Sequence, residues 1–450
     1  MKPRDLNNRL KNTYHNITGS IGFYPTMMSV GFFLFAILIM SIEYLDVFMR
    51  LKQYISIVLV NGADNARLLL NTLIAGVFSL TVFSFSMVMI VLNRATATLS
   101  PRVIPGLISQ KSHQFVLGFY LGTIIYSLML TVNINSPSIE ESVPGLGILI
   151  SLCFGIASLG LFVYFIHSIS KTIQADNILN RLYNDTRKEL FELYGKHSHD
   201  HDKEVEAEEE MPDTSEWEAI ESVNSGYFKM VEVSGLCRLL QEYDLKIKIT
   251  IPHGFFVVEG YPFLQLNKPI DDEELADEIR SKFIFFVEEY VKDHYSYGFK
   301  QISEIAVKAL SPGINDPGTA IRAIDLLTIL FKIRMENGCM EFEKDVEGEA
   351  RVYYRELSLD ELLYKTMTPI RAYGKTDALV VMNLLESFTN MLYAQKTAQM
   401  EEVLVQHIKG IIEDAEQASF NQMDTKKIND SICQINRLIN RNQKLEMLNE

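Results

Sequence analysis

Cysteine is scarce in this chain, with four residues in 450. Cys153 lies in a long apolar run, while Cys237, Cys339 and Cys433 are scattered through the second half of the sequence. There is no Cys-x-x-Cys pair, and no histidine stands at zinc-finger spacing from a cysteine. This pattern excludes a disulfide-stapled secreted fold and predicts neither disulfides nor a structural zinc site.

The sequence motifs of common enzyme sites are also missing. The chain has no P-loop, no His-Glu-x-x-His pair and no Gly-x-Ser-x-Gly nucleophile turn. Glu304, Asp316 and Asp325 are close in sequence, but no nucleophile accompanies them. His253 and His294 are predicted to be a turn residue and a helix-end residue rather than catalytic bases. We therefore expect no enzymatic activity, no cofactor and no metal.

Charge is unevenly distributed along the chain. There are 42 basic and 57 acidic residues, a net charge of −15, and nearly all the acidic residues follow residue 170. The negative balance argues against nucleic acid as a partner, because a phosphate backbone requires a basic face. Long apolar runs in the first part exclude one soluble globular domain, and a size of roughly 150 residues per domain predicts about three units.

Four apolar segments are long enough to cross a membrane, for which about 20 residues suffice. None has an Asp, Glu, Lys or Arg near its middle, which argues against a proton-coupled carrier. The first is not a cleaved signal peptide, because its apolar run is too long and the basic residues lie too far ahead of it. The spans are predicted at about Pro25–Phe48, Leu68–Leu92, Phe115–Val132 and Gly145–Ile169.

Lysine and arginine concentrate in the N-terminal tail, in the second loop and in the segment after the fourth span. Loops rich in these residues stay on the cytoplasmic side of a membrane. The sequence therefore predicts a multi-pass protein of the bacterial inner membrane, with the lipid bilayer as a partner and both termini in the cytoplasm.

The second span carries a polar stripe. Thr72, Ser79, Ser86 and Asn93 recur every seven residues, which places them on one helix face. One interpretation is helix packing, since small hydroxyl residues let helices approach and hydrogen-bond in lipid. The other is a pore-lining stripe in a homo-oligomer. In the third span, Gly118-x-x-x-Gly122 permits close packing but does not require a dimer.

Beyond the spans the sequence predicts a cytosolic α+β domain. The predicted fold is an integral membrane protein with four transmembrane helices, followed by a small β-barrel-like unit and a helical C-terminal part. The barrel expectation comes from the pattern Gly254–Phe263, which resembles the hairpin of biotinyl/lipoyl-type domains in shape. The predicted segments are a cytosolic tail 1–24, a transmembrane domain 25–170, a stalk helix 171–196, an acidic linker 197–224, a β-rich domain 225–268 and a helical domain 269–450.

Acidic residues dominate the predicted linker, and like charges at that density resist packing. His197, His199 and His201 alternate at its start. In an extended chain they would lie on one side and bind a transition metal, although a solvated polar linker is the simpler interpretation. Further along, a helix is predicted from Asp271 to His294, because the helix dipole stabilises acidic residues at a helix start.

The sharpest motif is the turn Ser311–Ala320. Pro312 and Gly313 are predicted to end one helix, and Asp316 to cap the next, with Pro317 in its first position. One interpretation is a well-capped turn between helices. The other is a site where free backbone N–H groups and Asn315 bind an anion or a partner. Its candidate residues are Ser311, Pro312, Gly313, Asn315, Asp316, Pro317, Thr319 and Arg322.

Several stretches together carry a family resemblance. They are Phe83–Ser86, Leu99–Arg102 with the membrane-proximal candidates Ser100, Pro101 and Arg102, Leu117–Gly122, Gly254–Gly260, Gly298–Ala306, and Ser311–Pro317 with Thr319 and Ala320. Over about residues 25–390 the chain resembles the family of bacterial predicted membrane proteins catalogued as domain of unknown function 2254. The resemblance implies four N-terminal spans and a cytosolic domain, and it implies no particular activity.

These patterns favour a homo-oligomeric channel or transport-like protein with a cytosolic regulatory domain. The alternative is a membrane-anchored regulatory or scaffold module that binds a ligand or partner at the Ser311–Ala320 turn. An enzyme is the weakest of the three possibilities. The permeant species, the ligand and the number of subunits do not follow from the sequence.

Overall fold

The described residues form two compact units, one made of four long N-terminal helices and the other of the chain from Ala175 onward. The computed structural model describes residues 22–42, 62–98, 111–134, 143–172, 175–198, 212–286, 291, 294–337, 342–440 and 443–449.

The first unit consists of four long helices, each apolar and long enough to cross a membrane. The four spans predicted from the sequence are therefore confirmed as helices, except that residues 43–48 of the first lie outside the described part of the chain. α3 has the most buried surface of the four and packs against both α1 and α4. The helices are α1 (Phe23–Ile42), α2 (Ala63–Thr98), α3 (Lys111–Asn133) and α4 (Gly145–Thr172).

Small residues let α3 approach its neighbours closely. A β-carbon added to Gly118 would lie 2.9 Å from Sδ of Met28, and one added to Gly122 would lie 2.6 Å from Cγ of Phe32. The small-residue face of α3 thus packs against α1 of the same chain. Toward α4, the hydroxyl oxygens of Ser127 and Ser151 are 2.7 Å apart, a hydrogen bond that satisfies both groups away from water.

The second unit is mostly helical. Helix α5 packs against α8 and α9, α9 packs against α11, and α11 packs against α12 and α13. Most of these helices begin at a side-chain cap, which supplies acceptors for backbone N–H groups that have no partner within the helix. The helices are α5 (Ala175–Ser198), α6 (Val233–Glu242), α7 (Glu273–Arg280), α8 (Tyr295–Ala309), α9 (Pro317–Asn337), α10 (Leu359–Gly374), α11 (Ala378–Ala394), α12 (Ala398–Ala418) and α13 (Gln422–Leu438).

Eight described strands form two sheets in the second unit. The larger has the order β1-β5-β3-β8-β7 and the smaller has the order β4-β2-β6. Strand β3 pairs in parallel with β8, while the other pairings are antiparallel. The strands are β1 (Glu218–Glu221), β2 (Gly226–Val231), β3 (Ile247–Ile249), β4 (Phe256–Val257), β5 (Pro262–Leu266), β6 (Phe283–Phe286), β7 (Phe342–Lys344) and β8 (Ala350–Tyr353).

The barrel-like closure expected for residues 225–268 is not what the described strands form. β2 and β4 take β6 as their third strand, whereas β3 and β5 join β8, so the segment divides between two sheets. One buried core fills the space between them and includes Leu240 of α6, Ile247 of β3, Phe263 of β5 and Val352 of β8. Long-range pairing therefore outweighs the local hairpin pattern.

Two further expectations differ from the structure. The helix predicted from Asp271 to His294 ends at Arg280, and Phe283–Phe286 is strand β6, because its aromatic side chains pair with β2 and pack on the core. Of the predicted linker 197–224, residues 199–211 lie outside the described part of the chain, while Glu218–Glu221 form strand β1, whose Ile220 is buried against the same core.

Candidate functional site

The Ser311–Ala320 turn is closed by its own hydrogen bonds. The Asp316 carboxylate accepts from the Thr319 backbone N–H at 3.1 Å and from the Thr319 hydroxyl at 2.6 Å. Asp316 thus caps α9, with Pro317 in the first helical position. The backbone N–H of Asp316 donates to the carbonyl of Ala309, and Ser311 Oγ donates to the carbonyl of Lys308. The carboxylate occupies the helix end where an anion would otherwise bind.

Asn315 stands out within this turn. Its backbone has φ of +50°, the left-handed region that non-glycine residues other than Asn and Asp seldom adopt. Asn315 is exposed, as are Pro312, Gly313 and Asp316. One turn further along α9, Nη2 of Arg322 donates to Oδ1 of Asn180 on α5, at 3.0 Å. The turn therefore presents a fixed polar surface, while Arg322 ties α9 to α5.

The polar stripe of the second span lies on the exposed side of α2. Thr72, Ser79, Ser86 and Asn93 are all exposed in the single chain. The hydroxyl groups of Thr72 and Ser79 donate to the carbonyl oxygens of Leu68 and Ala75, so both hydrogens have partners in their own helix. The hydroxyl oxygens keep lone pairs that can accept hydrogen bonds from outside the chain.

Several predicted residues lie outside the described part of the chain. These are Ser100, Pro101 and Arg102 of the loop after the second span, and His199 and His201 of the acidic segment. His197 falls within helix α5, and its side chain is not among those described. Of the three acids considered together, Asp316 accepts from Thr319 within its own turn, and Asp325 on α9 accepts a hydrogen bond from Asn383 on α11.

Three polar side chains meet in the interior of the second unit. His253 comes from the turn between β3 and β4, His294 is the N-cap of α8, and Glu356 follows β8. One ligand-type atom from each side chain lies within 4.8 Å of the other two. The His294 and Glu356 side chains are only 7% and 6% exposed. We name this group the His–His–Glu cluster.

The two imidazole rings of the cluster stack face to face. The ring centroids of His253 and His294 are 4.1 Å apart and their planes differ by 5°. His253 also stacks on Phe228 of β2, with centroids 4.8 Å apart. Burial, together with the neighbouring His294, lowers the pKa of His253 to about 3. The His253 imidazole is therefore neutral at pH 7.

Glu356 is held on both carboxylate oxygens. Oε1 lies 3.4 Å from Nε2 of His294, and Oε2 accepts a hydrogen bond from the Tyr295 hydroxyl at 3.1 Å. Nε of Arg334 donates to that same hydroxyl at 3.2 Å. Burial alone would raise the pKa of Glu356, but the charge and hydrogen bond of His294, with smaller contributions from His253 and Arg334, lower it to about 2. Glu356 is thus a buried carboxylate.

A second buried polar group stabilises the larger sheet. Nε of Arg351 on β8 lies 2.9 Å from Asp345, its Nη2 lies 2.6 Å from Glu349, and its Nη1 lies 3.0 Å from Asp244. The Arg351 side chain is 5% exposed and has three carboxylate partners. Such pairing removes the cost of an unpaired buried charge, so the group has a structural explanation.

The sequence predicts the turn at His253, but neither the place of His294 nor the contact between the two histidines. His253 lies in a turn as predicted, whereas His294 is the N-cap of α8 and not the end of the helix predicted from Asp271. They meet because β4 and α8 both adjoin the β2 region, where Phe228 stacks on His253 and its carbonyl accepts from Tyr297. Glu356 carries no sequence signal at all, since it lies between a strand and a capped helix.

Comparison with known proteins gives one family and a few distant relatives. The model of a family described as predicted membrane protein (DUF2254) matches residues 18–390. The chain is 24% identical over 325 residues to the uncharacterized proteins Mb1321c of Mycobacterium bovis and Rv1290c of Mycobacterium tuberculosis. These matches cover 70% of this chain and 60% of each relative, so the chain spans less than two thirds of their length. No solved structure matches it.

Proposed function

Because the chain belongs to the predicted membrane protein family DUF2254, we propose that it is a homo-oligomeric channel or transport-like protein of the bacterial inner membrane. In this proposal the four spans α1–α4 cross the bilayer, both termini lie in the cytoplasm, and the second unit regulates the membrane part. The distribution of lysine and arginine among the loops supports this orientation.

One observation carries the proposal: the polar stripe of α2 lies on the outside of the single chain. The opposite side of α2 is buried, with Ala66, Leu70 and Val77 packed inside the unit. Polar side chains are costly against lipid and are usually covered by another helix or by water. In a ring of chains with the stripes at its centre, neighbouring helices and water would cover these side chains. The exposed hydroxyl oxygens could then accept hydrogen bonds from water or from a permeant solute.

The test combines subunit counting with flux. Full-length protein in nanodiscs is expected to contain three or more chains by mass photometry, and proteoliposomes are expected to release a small tracer. Ser79→Phe should block that release by filling the centre of the ring. Met89→Phe is the matched control, because Met89 is also exposed on α2 but lies off the stripe. A monomer, or wild-type vesicles no leakier than protein-free ones, would contradict the proposal.

A second candidate function is a membrane-anchored regulatory or scaffold module. It is favoured by the exposed Asn315, which is held at φ of +50° in a turn closed by hydrogen bonds to the carbonyl groups of Ala309 and Ser311. A photo-crosslinking residue at Gly313, where nothing lies within 4 Å of an added β-carbon, should then join one defined partner in cells. Asn315→Gly keeps the backbone conformation and removes the side chain, so it should abolish the adduct. An unchanged adduct pattern would contradict this function.

A further inference from the structure

We propose that the His–His–Glu cluster is a binding site for a divalent transition-metal ion, with zinc as the best fit. Two imidazoles and one carboxylate form a set of three protein ligands that leaves a fourth position open on a tetrahedral ion. Imidazole nitrogen also suits zinc better than it suits magnesium or calcium, which prefer oxygen. The inference does not depend on the channel proposal, since it concerns the second unit alone.

The spacing of two ligands also fits a bound metal ion. Nε2 of His294 and Oε1 of Glu356 are 3.4 Å apart, long for a hydrogen bond between charged groups, which is typically about 2.7–2.9 Å. Two atoms that each bond a tetrahedral zinc at about 2.0–2.1 Å lie roughly 3.3 Å from each other. An ion bound to both atoms therefore needs almost no movement of either side chain.

Hydrogen bonds to the outer atoms of these ligands are also in place. Nδ1 of His294 accepts from the Ser296 backbone N–H at 3.3 Å and lies 2.8 Å from Oγ of Ser296. When Nε2 binds a metal, Nδ1 carries the imidazole proton and donates it to Ser296 Oγ in place of accepting the backbone N–H. The far carboxylate oxygen of Glu356 accepts from the Tyr295 hydroxyl, which in turn accepts from Arg334. Partners of this kind orient metal ligands and fix the imidazole tautomer. They are buried, so they hold the two side chains whether or not an ion is bound.

The third ligand, His253, must move. Two parallel rings 4.1 Å apart cannot both contain one ion in their planes, so metal binding requires the His253 ring to turn out of its stack on His294. The three ligand atoms already lie within 4.8 Å of one another, so each distance between them must shorten by at most about 1.5 Å to bind zinc. His253 lies in the Pro252–Gly254 turn, outside the described strands.

The experiment uses the full-length protein in nanodiscs, stripped with a chelator and then titrated with zinc chloride. One zinc ion per chain is expected by elemental mass spectrometry, together with a rise in Tm. Cobalt(II) in place of zinc should give the visible absorption of a tetrahedral nitrogen and oxygen site. Less than half an ion per chain at saturation, with an unchanged Tm, would overturn the proposal.

Variants assign the ion to the cluster. His294→Asn removes a ligand yet keeps an acceptor for the N-cap, so it should fold and weaken zinc binding by at least about 100-fold. His253→Ala should weaken binding similarly. His407→Ala is the matched control, because His407 is another buried histidine paired with a carboxylate, that of Asp360 at 2.9 Å. It should bind one zinc ion as the wild type does.

The histidines of the acidic segment supply the competing explanation. Replacement of His197, His199 and His201 by alanine should leave the single zinc ion and its Tm shift unchanged. If that triple variant loses the ion while His294→Asn retains it, the metal binds in the acidic segment and the proposal is overturned.

Discussion

Gly298 of α8 and Thr186 of α5 pack so closely that a β-carbon on Gly298 would lie 2.8 Å from Cβ of Thr186 and nearer still to its hydroxyl oxygen. Thr186 is fully buried, and its hydroxyl donates to the carbonyl of Leu182 at 2.6 Å. Because α5 also packs on α9, this contact fixes the helix that follows the membrane unit in sequence onto the core of the second unit.

Gly298→Ala is expected to destabilise the second unit by about 2 kcal/mol, since the added methyl group must displace the α5 backbone or Thr186. Gly313→Ala is the control, because an added β-carbon there meets nothing within 4 Å. Thermal unfolding of the full-length protein should show a lower Tm for Gly298→Ala alone. Equal Tm values for the two variants would mean that α5 is free to move away.

Gly122→Ala is expected to weaken the packing of α1 on α3. The new methyl group would lie 2.6 Å from the Phe32 ring, and overpacking of this kind costs about 1–3 kcal/mol. Gly160→Ala on α4 places the same group in open space. Unfolding in detergent, followed by circular dichroism, should separate the two variants. A Gly160→Ala protein as unstable as Gly122→Ala would instead indicate that the exposed side of α4 is covered by another copy.

Asp316→Ala is expected to lower the free energy of unfolding by about 1 kcal/mol, because the Thr319 N–H and hydroxyl lose their acceptor. Asp316→Asn keeps a side-chain oxygen at the cap and should cost less than half as much. Denaturant unfolding of the three proteins tests the order. If Asp316→Asn and Asp316→Ala are equally unstable, the charge near the helix dipole matters more than the cap.

Stability of the chelator-treated protein is expected to fall as the pH drops below about 6.5. The unfolded chain binds a proton on His253 there, while the folded chain does not until about pH 3, because burial lowers the His253 pKa. This single group contributes at most about 1.4 kcal/mol per pH unit. Glu356, with a pKa of about 2, is expected to lower the stability further once the pH falls below the ordinary pKa of a glutamate.

His253→Phe should flatten that dependence between pH 6.5 and 5, since phenylalanine keeps a ring between Phe228 and His294 but cannot take up a proton. The measurement is Tm against pH for the two proteins without metal. An identical slope in the variant would place the acid-sensitive group elsewhere.

Cys237 is expected to resist alkylation in the folded protein. The thiol is 7% exposed, and burial together with the nearby Glu343 and Asp345 raises its pKa to about 11. At pH 8 a shift of this size leaves roughly 100-fold less thiolate, the reactive form. Cys433, which is half-buried, serves as the internal comparison. Mass spectrometry after iodoacetamide treatment should show Cys237 modified only once the protein is unfolded.

Sequence patterns predicted the features that depend on nearby residues. The four spans follow from apolar runs, and the cap of α9 follows from the order Asn-Asp-Pro, where Asp316 and Pro317 take the positions their chemistry favours. Each of these signals depends on residues that are close together in the sequence.

Features that depend on distant residues could not be predicted in this way. Phe283–Phe286 follows a helix with an amphipathic pattern, and only its pairing with β2 makes it a strand. The His–His–Glu cluster joins residues separated by up to 103 positions, from His253 to Glu356, through the packing of two sheets and α8. A single sequence contains no signal that such residues meet, because their contact costs loop-closure entropy that only the complete core offsets.

The parallel pairing of β3 with β8 also sets an order of events during synthesis. Ile247 pairs opposite Val352, so the ribosome must add about 100 residues, roughly 5–20 s of translation, before β3 has its second partner. Until then Ile247 and Ile249 belong to an open apolar edge that other chains can pair with. A nascent chain halted anywhere before residue 350 is therefore expected to leave this edge of β3 open to other chains.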